Sequence, residues 1–171
     1  YKLLYVGSLS NHKGVEKLLP ILAGVNQHEA EFELTIVGTG GMERTLRRQA
    51  KKLDLTDSVD FTGFVPNKEL PNVYANHDLF IFPALWEEPL ARTYLESLAN
   101  GTPIVTSEYG SIADIVGEAG RLADGSVEEF QEILIECVET DALPQMSTAA
   151  EAQIEQLHLD YVIDQIESMY K

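Results

Sequence analysis

The sequence predicts an α/β fold in which helices cover both faces of a doubly wound, parallel sheet of about six strands. Short apolar or β-branched runs alternate along the chain with segments of helical periodicity. Gly, Pro, Asn or Asp residues bound each run, as expected for strand–helix connections. The 171 residues, 44% of them hydrophobic, suffice for one buried core. We therefore expect a single domain over residues 1–171 with its ligand crevice beyond the carboxyl ends of the strands.

Each element follows from its own pattern. The predicted strands are Leu3–Val6, Glu33–Val37, Val59–Thr62, Leu79–Phe82, Ile104–Thr106 and Arg121–Ala123. The predicted helices, with apolar residues near i, i+3 and i+4, are Gly14–Val25, Gly41–Leu53, Leu70–Asn76, Arg92–Ala99, Ser111–Val116 and Val127–Glu139. The tail after Leu143-Pro144 repeats apolar residues at helical intervals, which predicts an amphipathic helix over 145–171.

The charge balance argues against a nucleic-acid partner. The formal net charge is −16, with 28 acidic against 12 basic side chains, whereas phosphate backbones are bound by Lys and Arg. This acidity is typical either of adaptation to high salt or of a surface selected for solubility. A basic exception comprises Arg44, Arg47, Arg48, Lys51 and Lys52 on one predicted helix. It is either a solvated face or a docking surface for a membrane or a partner domain.

The cysteine content and the hydropathy bear on location. Cys137 lies on the apolar face of a predicted helix, which indicates a structural thiol in a reducing cytoplasm. No apolar run approaches the roughly 18 residues that span a bilayer. We therefore expect a cytoplasmic protein; peripheral association with the inner face of the membrane is left open, and nothing in the sequence indicates it.

The first loop that follows a strand is Gly7-Ser8-Leu9-Ser10-Asn11-His12-Lys13-Gly14. It opens a helix, so its amides and the helix dipole can receive an anion, with Lys13 as a point charge. The alternative is an ordinary turn with a surface lysine.

Glycines follow the next two predicted strands as well. Gly38 and Gly40 stand in Val37-Gly38-Thr39-Gly40-Gly41, where the missing Cβ lets a ligand or another backbone approach closely. The full dinucleotide fingerprint is absent, which argues against a dinucleotide dehydrogenase. Phe64 and Val65 follow Gly63 in a loop suited to a base ring held by main-chain groups, although core packing explains Phe64 equally well.

The fourth loop, from Phe82 to Ala91, carries the strongest pattern. Glu88-Pro89-Leu90-Ala91 precedes the helix of Arg92 and Glu96, so the Leu90 and Ala91 amides would meet a phosphate at the helix N-terminus. If the stretch is helical, about 12 Å separates the Glu88 and Glu96 carboxylates, roughly the reach from a hexose across a diphosphate to a ribose. Carboxylates suit such hydroxyl-rich ligands because their oxygens accept hydrogen bonds. The alternative for Glu96 is a helix-surface glutamate.

Together these loops resemble the C-terminal, donor-binding half of retaining glycosyltransferases of the two-Rossmann-domain (GT-B) type, in the large family of glycosyl transferases group 1. Gly7-Ser8-Leu9 with Lys13-Gly14 resembles the family's Gly-Arg-Leu…Lys-Gly phosphate loop. Ile36-Val37-Gly38-Thr39-Gly40 resembles its Val-Gly-x-Gly, and Phe61-Thr62-Gly63-Phe64-Val65 its Phe-x-Gly-x-Val base loop. Glu88 to Pro103 resembles its Glu-x7-Glu segment, Glu-Pro-Phe-Gly-x-x-x-x-Glu-Ala-x-Ala-x-Gly-x-Pro.

The resemblance implies transfer of a sugar from a nucleoside diphosphate donor with retained anomeric configuration, without a metal or cofactor. It implies that Lys13 binds the diphosphate, Glu88 orients the sugar and Glu96 holds the ribose. Ser8 departs from the family's arginine, so Arg92 or Arg121 would have to replace that cation. The acceptor site would belong to an N-terminal domain missing from this chain, so we expect donor binding without turnover.

Two other functions remain open at this point. A nucleotide-sugar 2-epimerase of the same architecture would use similar donor contacts, although the Glu-x7-Glu spacing favours transfer. A non-catalytic Rossmann-like binding module would ignore nucleotides altogether. The base, the sugar and the acceptor are not encoded in any pattern of the sequence; polysaccharide, glycolipid or glycoside synthesis follows only from the breadth of the family.

Overall fold

The computed structural model describes residues 1–85, 92–110 and 112–169, with side chains up to residue 157. Six parallel strands form one sheet in the order β3-β2-β1-β4-β5-β6. They are β1 Lys2–Val6, β2 Glu33–Val37, β3 Val59–Gly63, β4 Leu79–Phe82, β5 Ile104–Ser107 and β6 Gly120–Ala123. The predicted α/β fold with a doubly wound parallel sheet is confirmed, and each predicted strand is present within one residue of its expected bounds.

The direction of winding reverses between β1 and β4. The chain runs outward from β1 through β2 to β3, and then returns to the other side of β1 with β4. In open α/β sheets, a crevice forms at the carboxyl ends of the strands where the order reverses. The topology therefore places the candidate site beyond Val6 and Phe82.

The helices form two layers. They are α1 Val15–Val25, α2 Glu43–Lys52, α3 Leu70–Ala75, α4 Arg92–Ala99, α5 Ile112–Val116, α6 Val127–Glu139 and α7 Leu143–Met169. Helix α1 contacts α2 and α6, whereas α4 contacts α3, α5 and α7. Within the described part of the chain, no helix is both long and apolar enough to cross a membrane.

The core is continuous through the sheet because β4 and β5 are buried along their whole length. This is typical of parallel strands covered on both faces. Phe82 stacks on Tyr5 and meets Tyr94 edge-on, and Phe80 meets Tyr74 edge-on. These rings fix the strand ends and the bases of α3 and α4, on which the candidate site rests.

The last helix begins earlier than the predicted residue 145. Helix α7 starts at Leu143 because Pro144 lies in the first turn, where a missing N–H costs no intrahelical bond. Met146 and Ala150 are buried, and the Ser147 hydroxyl donates to the Gly101 carbonyl at 2.6 Å. The first half of α7 is therefore docked on the fold.

The loop before α1 contains a short helix that the sequence did not predict. A short 3₁₀ helix, Asn11–Lys13, precedes α1, so α1 begins at Val15 and Lys13 belongs to the connection. Gly14 joins the two in a left-handed conformation with φ 68°. A Cβ at this position would lie 1.7 Å from the Pro83 carbonyl oxygen, so the first loop packs directly on the segment that follows β4.

Candidate functional site

A cavity of about 380 Å³ opens at the reversal of the sheet. The ends of β1 and β2 with the loops that follow them form one side, and the first two turns of α4 form the other. We name the first side the backbone wall (Val6, Gly7, Ser8, Val37, Gly38 and Thr39) and the second the helix wall (Arg92, Thr93 and Glu96). Phe64, Val65, Asn67 and Leu70 complete the lining.

The backbone wall is built from two loops in direct contact. Gly38 has φ 133°, and a Cβ there would lie 1.9 Å from the carbonyl oxygen of Gly7. The Gly7 amide donates to the Val37 carbonyl at 3.0 Å, and the Gly38 amide donates to the Gly63 carbonyl at 2.8 Å. Of the two sequence interpretations of Gly38, the structure shows the close approach of another backbone. Both amides are used in hydrogen bonds between neighbouring loops. The two glycines therefore determine the shape of the wall and do not offer these amides to a ligand.

The helix wall carries the charge. Glu96 Oε1 accepts a hydrogen bond from Arg92 Nε at 3.1 Å, and Glu96 Oε2 accepts one from the Tyr74 hydroxyl at 3.2 Å. The Glu96 side chain is 24% exposed, whereas that of Arg92 is 70% exposed. Glu96 is therefore a half-buried carboxylate held from two sides, unlike a free helix-surface glutamate.

Tyr74 lies fully buried beneath this carboxylate. Burial raises the pKa of its phenol, and the charge of Glu96 raises that pKa further. The hydroxyl thus remains protonated and acts as a donor to Glu96. The Thr93 hydroxyl is also buried at the cavity, and it has no hydrogen-bond partner among the described residues.

Phe64 forms an aromatic side of the cavity. Its side chain is 73% exposed, which excludes core packing as its explanation. The neighbouring Val65 packs against the core and keeps the loop in place. An exposed ring fixed at the edge of a cavity offers a stacking surface for a planar ligand.

Two predicted residues lie outside this lining. Lys13 has its Nζ 5.6 Å from the centroid of the Phe82 ring, at the same end of the sheet. Gly40 packs against Leu9 and lines a second depression of about 430 Å³, on the exposed cationic face of α2. That depression is larger, but it shares no described lining residue with the cavity at the reversal of the sheet, and its Arg47 is paired with Glu43 at 2.9 Å.

The predicted residues Glu88, Pro89, Leu90 and Ala91 lie outside the described residues. The structure does bring together the predicted Gly7, Ser8, Gly38, Phe64, Val65, Arg92 and Glu96 in one lining.

Sequence reasoning missed Tyr74 and Thr93. Tyr74 stands 22 positions before Glu96 in a short helix, where a buried aromatic side chain carries no local sign of a polar role.

The chemistry of the lining suits a ligand with three kinds of group. The exposed Phe64 ring matches a planar heterocycle, the Glu96 carboxylate matches hydroxyl donors, and the Arg92 guanidinium matches an anion. The Ser8 and Thr93 hydroxyls add neutral polar contacts.

Comparisons with known proteins identify the family of this chain. The family profile described as glycosyl transferases group 1 matches residues 1–153. The chain is 30% identical over 114 residues to a 2-deoxystreptamine glucosyltransferase of Streptomyces kanamyceticus, covering 67% of this chain and 29% of that protein. It is 37% identical over 103 residues to an alpha-monoglucosyldiacylglycerol synthase of Streptococcus pneumoniae, covering 60% of this chain and 23% of that protein.

Solved structures extend the match to the whole fold. Anabaena HepE in complex with UDP and glucose superposes with a TM-score of 0.83 at 25% identity, over 98% of this chain and 48% of HepE. The chain spans about a third or less of the two curated relatives and about half of HepE. Because the family profile covers most of the chain, this protein belongs to the glycosyl transferases group 1 family.

Proposed function

We propose that this chain is the donor-binding domain of a glycosyltransferase and that its cavity holds a nucleoside diphosphate sugar. The observation that carries the proposal is Glu96, a carboxylate fixed by Tyr74 and Arg92 at the reversal of the sheet, opposite two packed glycine loops. The solved complex of Anabaena HepE with UDP and glucose, at 25% identity, adds support.

Each group of the donor has a counterpart in the cavity. The base would stack on Phe64 and meet the main chain of Val65, and the ribose hydroxyls would donate to Glu96. The diphosphate would lie along Gly7 and Ser8 and reach Arg92. The sugar would extend toward Glu88, Pro89, Leu90 and Ala91, with Glu88 orienting it.

The cation beside the diphosphate is Arg92 in this proposal. Arg121 hydrogen-bonds the Glu118 and Gly120 carbonyls at the start of β6, away from the cavity lining. Arg92 lines the cavity with Ser8 and has most of its side chain exposed. It therefore fits the place of the arginine that the family resemblance leads one to expect at position 8. Lys13, at the same end of the sheet, would add charge as the leaving group departs.

The reaction we assign is transfer of the sugar from the diphosphate oxygen to an acceptor hydroxyl with retention at the anomeric carbon. Cationic side chains would stabilise the departing diphosphate in place of a metal ion. The acceptor site would lie in a further domain of a protein as long as its relatives. This chain would then bind donor without turnover, and activity of the chain alone on any acceptor would contradict that part of the proposal.

The test is thermal unfolding of the chain with UDP, GDP, ADP and their common hexose conjugates. A ligand at 100 times its dissociation constant stabilises the folded state by about 2.7 kcal/mol, which is about 5–11 °C for a domain of this size. We expect a shift with one nucleotide series that is lost in Glu96→Ala and kept in Glu132→Ala, an exposed glutamate on α6. The absence of a shift with every nucleotide, in a folded chain, would contradict the proposal and favour a binding module of another kind.

A further inference from the structure

Tyr74 makes a contact that its place in the core does not require. Its hydroxyl is 3.2 Å from Glu96 Oε2 and 3.4 Å from the Thr93 carbonyl oxygen. The rest of the residue is locked: the ring meets Phe80 edge-on at 5.7 Å, and its carbonyl accepts a hydrogen bond from Thr102 Oγ1 at 3.0 Å. The hydroxyl of a buried, fixed Tyr74 thus donates to the Glu96 carboxylate, which lines the cavity.

The two protein contacts of Glu96 fall on different oxygens. Arg92 Nε occupies one acceptor position on Oε1, and the Tyr74 hydroxyl occupies one on Oε2. An ionised carboxylate offers about two acceptor positions on each oxygen. One position on each oxygen therefore remains for a ligand, and two neighbouring hydroxyls of a vicinal diol match that pair.

The two contacts of Glu96 differ in their exposure to solvent. Arg92 is largely exposed, so its ion pair with Glu96 is screened by salt and competes with water. Tyr74 is fully buried, so water and salt do not compete for the hydrogen bond of its hydroxyl. Tyr74 is therefore the contact that fixes the plane of the carboxylate when Arg92 turns toward an anion.

We propose that Tyr74 is a positioning residue that presents Glu96 to the 2′,3′-diol of a ribose and so makes the cavity select ribonucleotides over 2′-deoxyribonucleotides. The proposal rests on the proposed function of the cavity, in which Glu96 holds the ribose, and adds the buried residue that orients Glu96 for that contact. Tyr74 does not touch the ligand; it acts through Glu96.

The test is calorimetric binding of UDP, GDP, ADP and their 2′-deoxy forms to the wild type, Tyr74→Phe and Tyr94→Phe. Tyr94→Phe is the matched control, since Tyr94 is also buried and its hydroxyl bonds Thr106 Oγ1 at 2.9 Å instead of Glu96. For the nucleotide that binds, we expect the wild type to prefer the ribose form by about tenfold or more. Tyr74→Phe should weaken the ribose form about tenfold and the deoxy form less than twofold. Tyr94→Phe should keep the wild-type preference.

Equal weakening of the ribose and deoxy forms by Tyr74→Phe would show a merely structural role and overturn the proposal. The proposal would also be overturned if Tyr74→Phe kept the wild-type preference for the ribose form, or if the wild type showed no such preference. Glu96→Gln tests the same link if Tyr74→Phe unfolds, because it should remove the preference, and its failure to do so would also overturn the proposal. If the wild type binds none of the six nucleotides, the proposed function itself fails, which is a different result from binding without ribose preference.

Discussion

The two walls of the cavity are built on opposite principles. The backbone wall takes its shape from missing side chains: Gly38 and Gly7 pack so closely that a methyl group at Gly38 has no space. The helix wall takes its chemistry from side chains, with Glu96 bound to Arg92 and Tyr74. A methyl group added to the backbone wall should therefore destabilise the fold, whereas a truncated side chain on the helix wall should weaken ligand binding. Stability thus reports on the backbone wall and affinity on the helix wall.

The largest expected effect is the addition of one methyl group to the backbone wall. Gly38→Ala would force a left-handed backbone on an L-residue and place Cβ 1.9 Å from the Gly7 carbonyl oxygen. Strain and overlap together should lower the free energy of unfolding by more than about 2 kcal/mol, measured by urea denaturation. Gly41→Ala is the control, because no atom lies within 4 Å of its added Cβ. Equal stability of the two variants would contradict the account of this wall.

On the helix wall, Glu96→Ala should leave the fold intact and abolish most of the affinity. The loss of two charge-assisted hydrogen bonds to ligand hydroxyls should weaken nucleotide binding about a hundredfold, measured by calorimetry. Glu132→Ala should bind as the wild type does. If Glu96→Ala lowers stability as much as affinity, then Glu96 is a structural member of α4.

A smaller loss is expected when the cation of the helix wall is removed. Arg92→Ala should weaken nucleoside diphosphate binding about tenfold, because a charged hydrogen bond to phosphate contributes about 1.5–3 kcal/mol and this one is partly screened. The salt dependence of binding should fall with it. Arg44→Ala removes another exposed cation, beside the second depression, and should leave binding unchanged. Weaker nucleotide binding in Arg44→Ala would indicate that the binding site is the depression beside α2.

The smallest effect is expected at Phe64, which belongs to neither wall. Stacking of one base on an aromatic ring contributes about 1–3 kcal/mol, and the open position of Phe64 places it near the lower limit. Phe64→Ala should therefore weaken nucleotide binding about fivefold without loss of thermal stability. Leu53→Ala, a partly exposed apolar residue at the end of α2, is the control. A lower thermal stability of Phe64→Ala would show that the ring packs against the core, and would contradict its assignment as a stacking surface.

Much of this arrangement could be predicted from local sequence patterns. The strands were predicted because buried parallel strands are short apolar runs with Gly, Pro or Asn at their ends, and the glycines after β2 indicated close contacts beyond that strand. Gly38 could be identified as a place of close approach, although the choice between ligand and backbone needed the partner loop. Glu96 could be singled out by its spacing and context.

Contacts between distant segments could not be predicted. The hydroxyl of Tyr74 meets Glu96 only because α3 and α4 pack together, and no spacing rule connects residues 22 positions apart. The 3₁₀ helix before α1 and the position of Lys13 Nζ over the Phe82 ring were not predicted either, and binding of the diphosphate by Lys13 stays a prediction. The start of α7 was predicted two residues late because Pro144 was interpreted as a boundary and not as a first-turn residue.

The most direct test of the central claim is a nuclear magnetic resonance titration of the labelled chain with the nucleoside diphosphate that stabilises it most. The account predicts that the amide signals of Gly7 and Gly38 on the backbone wall and of Thr93 and Glu96 on the helix wall shift together, with one dissociation constant. Signals of Arg44 and Arg48 should stay in place. Shifts confined to α2, or to one wall of the cavity alone, would contradict the claim that both walls hold one donor.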